Sequence, residues 1–341
     1  MSDIIQDLAD YRINQIQLAE AKYYESLIKV LDNIEKQVTS LVGRTLPTDD
    51  LGKLFDLKIA IAIQPKIRQI LEKEYLAWSD TVVREGFNKQ AKRIEKAFKG
   101  IKVAKEFKQL TNADLTLITN LKRQSFTQFK DVSNTFARKL TEKVYQATLT
   151  SAEFTELEKE LRQTINGIYA RADDKELNKL IDIIKKDEIK LKKVRRNSIV
   201  GKKLRQKLDN NIQILQSKFA SDRAGENMKR YAGQILNDSL REFDAQLNFA
   251  KSKDAGLIWL KYQGSLIPTS RDFCRLVRGG TYDKRNSGLF TIDEVKRLWN
   301  SRGWSGKKSG NPLFVRGGYN CRHQWSYVNP DWYDISGKLK M

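Results

Sequence analysis

The chain has 341 residues, 40% of them hydrophobic, with 63 Lys and Arg against 42 Asp and Glu, a net charge of +21 and a single histidine. That length and apolar content support a real core in at least one domain and exclude intrinsic disorder, while the charge predicts a polyanionic neighbour, nucleic acid or an acidic protein surface. No run of about 18 uncharged apolar residues occurs, and the opening MSDIIQDLAD is acidic where a secretory signal is basic and then apolar, so a protein made and kept in the cytoplasm, or packaged from it, is expected.

Residues 3–42 carry Ile4, Leu8, Tyr11, Leu18, Leu27, Val30, Leu31, Ile34, Val38 and Leu41 at helical spacing, which predicts one long amphipathic helix or two. The stretch Gly43 to Gly52 (GRTLPTDDLG) should end it, with Thr48, Asp49 and Asp50 capping the next helix of a hairpin. The helical pattern resumes from Leu51 to about Gly100, with Pro65 as a kink or a first-turn residue. Thr111 to Asp114 then offers an N-cap for a helix reaching about Leu149, and Ser151 followed by Glu153 marks another start.

From about Asp173 to Phe219 the pattern is coiled-coil-like, with Leu177, Leu180, Ile184, Leu191 and Val194, then Leu204, Leu208, Ile212, Leu215 and Phe219. Asp187 falls on this seam and Asn197 to Gly201 interrupts it, so a bent antiparallel pair is predicted over one rod. A last helix spans about Ser221 to Ala250, and no fixed-period repeat appears. The Lys and Arg of these helices read as solvated faces balanced by nearby Glu.

Composition changes after residue 255. Five of the six tryptophans and 11 of the 19 glycines lie there, together with 15 basic and six acidic residues. Leu257 to Tyr262 (LIWLKY) alternates as a strand does, Gly264 to Pro268 turns, and Thr269 or Ser270 can cap a short helix carrying Asp272, Cys274 and Arg275, ended by Gly279 and Gly280. Thr291 to Glu294 is a capping box with Phe290 and Val295 as a hydrophobic staple, which predicts a helix from Ile292 to about Ser301. Asn311 to Val315 and Gln324 to Val328 are strand candidates joined by a turn at Gly317 and Gly318. The expected architecture is thus mainly α: an N-terminal helical region (1–150), a coiled-coil-like region of helical hairpins (151–255) and a small, compact α+β C-terminal domain (256–341).

Both cysteines and the histidine lie in this last part, in TSRDFC (Thr269 to Cys274) and GGYNCRHQW (Gly317 to Trp325). Two cysteines do not make a disulfide framework, and in a reducing compartment they are thiols or ligands. Cys321 and His323, with Cys274, could supply three ligands of a tetrahedral zinc site, Asp272 or water being the fourth. Structural zinc sites bring paired ligands from two knuckles, however, and only one end is paired here, so buried thiols are preferred and neither a metal nor a cofactor is assigned. A Cys-x-His pair on an extended segment shares one face but lacks an orienting third group, and a single histidine does not make a nuclease centre; no catalytic residue is assigned. Phosphate-binding loops of the GxxxxGK[ST] and GxGxxG types are absent. Trp304 to Gly310 (WSGKKSG) is a basic loop whose Lys307 and Lys308, with Arg275 and Arg316, are the candidate DNA contacts.

Taken in order, a helix ending near Ala255 and Gly256, a strand holding Trp259, the segment with Arg271 and Cys274, a Gly280-to-Tyr282 turn and the final Asn320, Cys321 and Arg322 resemble the phage head morphogenesis family, the Mu F-like minor head proteins of tailed phages. The resemblance covers about residues 221–330. Many members carry a proline and a histidine just before the asparagine-cysteine-arginine signature, where this chain has Gly318 and Tyr319, with His323 following it.

The resemblance implies a non-enzymatic virion component present in few copies, bound to the portal protein or held with capsid proteins in the capsid interior, after assembly in the host cytoplasm. It also implies contact with packaged double-stranded DNA through non-specific charge and, for some members, ejection with the genome, with no membrane contact before any ejection. The helical seams allow a homo-oligomer. Two other functions fit the residues: a nuclease or toxin-like effector using the Cys and His cluster, and a coiled-coil nucleic-acid-binding protein.

Overall fold

The computed structural model describes residues 4–99, 109–167, 172–194, 198–220, 227–268, 270–278 and 288–332. The protein is mainly α, with a small three-stranded antiparallel sheet near its C-terminus. No helix among the described residues is long and apolar enough to cross a membrane.

Helix α1 (Ile4–Thr45) is continuous, and Leu27, Leu31, Ile34, Val38 and Val42 form one buried stripe at steps of three and four residues. The next helix starts later than the sequence predicts. Asp49 is consumed by the turn itself, its Oδ1 accepting from the backbone N–H groups of Leu51 and Lys53 at 2.9 and 2.8 Å. Capping passes to Asp56, which accepts from Lys58 and Ile59 and opens α2 (Leu57–Ala62). Pro65 occupies the first turn of α3 (Gln64–Leu71), where its missing N–H removes no helical hydrogen bond. Two π segments, Glu72–Leu76 and Val82–Gly86, flank α4 (Ala77–Thr81) before α5 (Phe87–Lys99), a feature that periodicity alone does not announce.

Helix α6 (Asn112–Leu149) begins as expected: Thr111 Oγ1 accepts from the Asp114 N–H at 3.2 Å and Asp114 Oδ2 from the Thr111 N–H at 2.9 Å. The start read at Ser151 and Glu153 is α7 (Phe154–Asn166), with Glu153 as its N-cap residue. Helices α8 (Ala172–Lys192) and α9 (Ile199–Ala220) pack as two helices rather than one rod, burying Ile184, Leu208, Ile212 and Leu215. Asp187 is buried on this seam, where Lys207 Nζ meets its carboxylate at 3.0 Å. The last long helix, α10, runs from Met228 to Asp254.

Two compact units are distinguished. One comprises residues 18–84 and 124–236, the other residues 1–17, 85–123 and 237–341. The first is centred on the stacked and edge-on rings of Tyr75, Trp78 and Phe129, and buries Glu35 against Arg162 (2.8 Å) and Asn166. The second packs Phe87 on Phe243 with ring centroids 4.2 Å apart, pairs Arg12 with Asp244, and closes Lys251 on Asp114 at 3.2 Å.

The C-terminal segment belongs to that second unit. Strand β1 (Trp259–Gln263) pairs antiparallel with β2 (Leu289–Phe290) on one side and β3 (Gln324–Val328) on the other, with Leu260 opposite Tyr327 and Tyr262 opposite Trp325. Alternation sends Leu260, Tyr262, Trp325 and Tyr327 into a core shared with Phe273 and Cys274 of α11 (Asp272–Arg278) and Val295 and Trp299 of α12 (Ile292–Asn300). Trp259 is displaced from this core, because its odd position on β1 turns it to the opposite face against Leu289 and Val328. The capping box at Thr291 and Glu294 forms as predicted. Asn311 to Val315 is not a strand: Asn311 accepts from the Leu313 N–H and Pro312 sets the first turn of α13 (Pro312–Val315), since an Asn-Pro pair suits a helix start better than a sheet. The Gly279 and Gly280 stop, with Thr269 and Tyr282, lies outside the described residues.

Candidate functional site

Four side chains with chemically active heads converge inside the C-terminal core. Cys274 comes from α11, Cys321 and His323 from the approach to β3, and Tyr262 from β1. The two Sγ atoms are 3.7 Å apart, Cys321 Sγ is 3.8 Å from His323 Nδ1, and the Tyr262 hydroxyl lies 3.5 and 3.4 Å from Cys274 and Cys321. The Tyr262 and His323 rings stack at 5.0 Å. All four residues are buried, Cys321 being only 1% exposed.

The Cys-x-His spacing thus acts as expected, placing both heads on one side of an extended segment. Asp272, the carboxylate considered beside them, is exposed at the start of α11 and takes no place in the cluster.

Burial opposes ionisation of Cys321, yet hydrogen bonds from Cys274 and His323 and the nearby Arg316 outweigh it and hold this thiol well below its ordinary value. Cys274 moves upward, through its hydrogen bond to Cys321 and then through burial. Of the two thiols, Cys321 is thus the readier to ionise. Burial, followed by the charges of the two cysteines, raises Tyr262 well above the usual phenol value.

The two signature segments are tied by backbone as well as by sulfur. Arg271 donates to the carbonyls of Ser305 and Tyr319, bridging from the TSRDFC segment to the asparagine-cysteine-arginine segment. Asn320 adopts a left-handed φ of 56°, which asparagine tolerates better than most residues. Its side-chain oxygen accepts from Asn237 at 2.7 Å, and its N–H donates to Asp238 at 3.0 Å. Arg241 is fully buried and donates to the Cys321 carbonyl at 3.4 Å. Gly317 stands directly over the sulfurs: a Cβ there would lie 3.0 Å from Cys321 Sγ and closer still to Cys274 Sγ.

Most of the candidate DNA-contacting residues are engaged internally. Arg316 is 0% exposed and donates to the Arg241 carbonyl at 2.9 Å, which removes it as a phosphate contact. The WSGKKSG loop is pinned, with Trp304 Nε1 donating to Gly317 at 2.9 Å and Lys307 donating to the Trp299 and Arg302 carbonyls at 2.6 and 2.7 Å. Lys308 pairs with Asp238 and Glu242. Arg275 remains exposed, although its guanidinium reaches the carbonyls of Ser270, Ile267 and Pro268. Arg322 is half-buried, and Gly280 lies outside the described residues.

Lys308 carries a testable consequence. Burial would lower it, but the charges of Asp238 and Glu242 prevail and raise it above its ordinary 10.5, while burial raises Asp238. Lys308→Met should lower stability by about 2 kcal/mol at neutral pH, since it strands a buried carboxylate. Because the lysine is raised on folding, its contribution is complete below 10.5 and is lost as pH rises through the higher folded value. Denaturant midpoints of both proteins should therefore converge at alkaline pH; a constant gap would assign the effect to packing.

The motifs assign no site role to Tyr262 or to the α10 residues Asn237, Asp238 and Arg241. The signal for Tyr262 was present, since alternation in LIWLKY puts it on the face opposite Trp259. The α10 residues had none, because their roles exist only across more than 70 residues of chain. No protein-family model, curated protein or solved structure matches the chain.

Proposed function

We propose that the protein is a structural, non-enzymatic minor head component of a tailed phage, associated with the portal or the capsid interior and assembled in the host cytoplasm. The observation that carries this reading is the convergence of its two signature segments: Arg271 donates to the Tyr319 carbonyl, and Cys274 meets Cys321 at 3.7 Å in the buried core. Residues held in this way serve a common scaffold, and the resemblance rests on them. The net charge of +21 supports placement beside dense phosphate, where attraction is general and weakened by salt. Burial of Arg316 and internal pairing of Lys307 and Lys308 favour such a diffuse field over a dedicated DNA-reading loop.

Quantitative peptide mass spectrometry of purified particles, before and after DNA release, tests the reading. The expected result is a copy number near or below that of the portal, with loss on release marking an ejected component. Absence from particles would overturn the assignment and bring forward the effector reading, for which the Cys321–His323 approach is the relevant observation. That reading requires DNA or RNA cleavage by the purified protein that His323→Ala abolishes.

A further inference from the structure

We propose that Cys274, Cys321 and His323 bind a zinc ion, with the Tyr262 hydroxyl at the fourth corner of the tetrahedron. A tetrahedral zinc with Zn–S of about 2.3 Å and Zn–N of about 2.0 Å sets its ligands about 3.5 to 3.8 Å apart. The observed separations are 3.7 Å between sulfurs, 3.8 Å from sulfur to imidazole nitrogen, and 3.5 and 3.4 Å from the hydroxyl to each sulfur. The ligand atoms of the two cysteines and the histidine all lie within 4.8 Å of one another.

The surroundings fit the same ion. Phe273, Val277, Leu313 and Trp325 belong to the same buried cluster, so the four polar heads meet inside an otherwise apolar shell. Two thiolates neutralise one divalent cation and the imidazole binds uncharged, so these three ligands and the ion carry no net charge into the core. On binding, any protons held by the two thiols leave to solvent, and no oxidant or reductant is required. A sulfur-rich donor set selects zinc over calcium or magnesium. The ligands are also held in place: Arg241 and Asn320 fix the backbone around Cys321, Arg271 fixes the start of α11, and Gly317 leaves room for both sulfurs.

The site joins strand β1, helix α11 and the segment before β3, so zinc would clamp the three elements of this small fold and contribute to folding directly. The inference does not depend on a virion role, and particle composition would be unaffected by its failure.

The test uses the full-length untagged chain purified under reducing conditions. Elemental analysis should find about one zinc per chain. After removal by a chelator, cobalt should restore the visible absorption of a tetrahedral site with thiolate charge transfer, and added zinc should displace it and raise the thermal midpoint. Cys274→Ser with Cys321→Ser should abolish the cobalt spectrum, and Tyr262→Phe should weaken zinc about tenfold or more. Because the double variant could unfold, the cobalt titration of the unaltered chain is decisive by itself. A folded, reduced protein that takes up neither metal, a cobalt spectrum without thiolate bands, or isolation of a Cys274–Cys321 disulfide as the stable form would each overturn the proposal.

Discussion

Gly318→Ala is expected to lose more stability than alanine at any other described glycine of the C-terminal segment, about 4 kcal/mol or more, and to leave that segment unfolded at physiological temperature. Two independent penalties coincide. Gly318 sits at a φ of 107°, a conformation that L side chains rarely adopt, and an added Cβ would penetrate the Gly306 carbonyl oxygen. That oxygen has nowhere to retreat, because it accepts from the Tyr319 N–H at 3.0 Å while Trp304, two residues earlier, is anchored to Gly317. Relief would move the WSGKKSG loop, uncoupling Lys307 from Trp299 and Arg271 from Tyr319. Gly303→Ala is the control, since a Cβ there meets nothing within 4 Å. Thermal unfolding followed through tryptophan emission should show the first variant lost and the second within about 0.5 kcal/mol of the parent. Equal midpoints for the two would refute this packing of the loop.

The second large effect is expected at Lys251. Its ammonium is buried with Asp114, each side chain 2% exposed, and donates to Asp114 at 3.2 Å and to the Gln109 carbonyl at 2.7 Å, with the Phe98 ring 5.4 Å away. Lys251→Met removes the cation and leaves a carboxylate in an apolar site, for an expected loss of about 3 to 5 kcal/mol. Asp114 also caps α6, so the compensating change is Asp114→Asn, which keeps an acceptor for the Thr111 N–H and removes the charge. The double variant should recover much of the loss, because the penalty lies in the unpaired charge more than in missing attraction. Additive losses in a four-member denaturation cycle would show that the two residues act separately.

Much of the helical architecture is legible in the sequence alone. The stripe of Leu27, Leu31, Ile34 and Val38, the Thr111 and Thr291 caps and the break between α8 and α9 are local signals, written within one or two turns of chain. Local competition explains the misreadings: Asp49 and Asp56 both offer caps, and only the turn decides which carboxylate is already taken. The Asn-Pro at 311 and 312 was equally local and pointed to a helix.

The cluster itself divides in the same way. The chain alone determined that its two cysteines and its histidine lie in two short segments and that Cys321 and His323 share a face. Whether Cys274 reaches them could not be read from it, since that contact crosses 47 positions and depends on how α11 leans on β1. Charge shows the contrast most sharply. Composition gives +21, but which cations face outward depends on long-range pairing, and desolvation spends Arg316, Lys251 and Lys308 on carbonyls and carboxylates far away in sequence. Periodicity and capping are short-range and so are carried by the sequence; the meeting of two sulfurs, an imidazole and a phenol is a long-range event, and only the packed tertiary structure decides it.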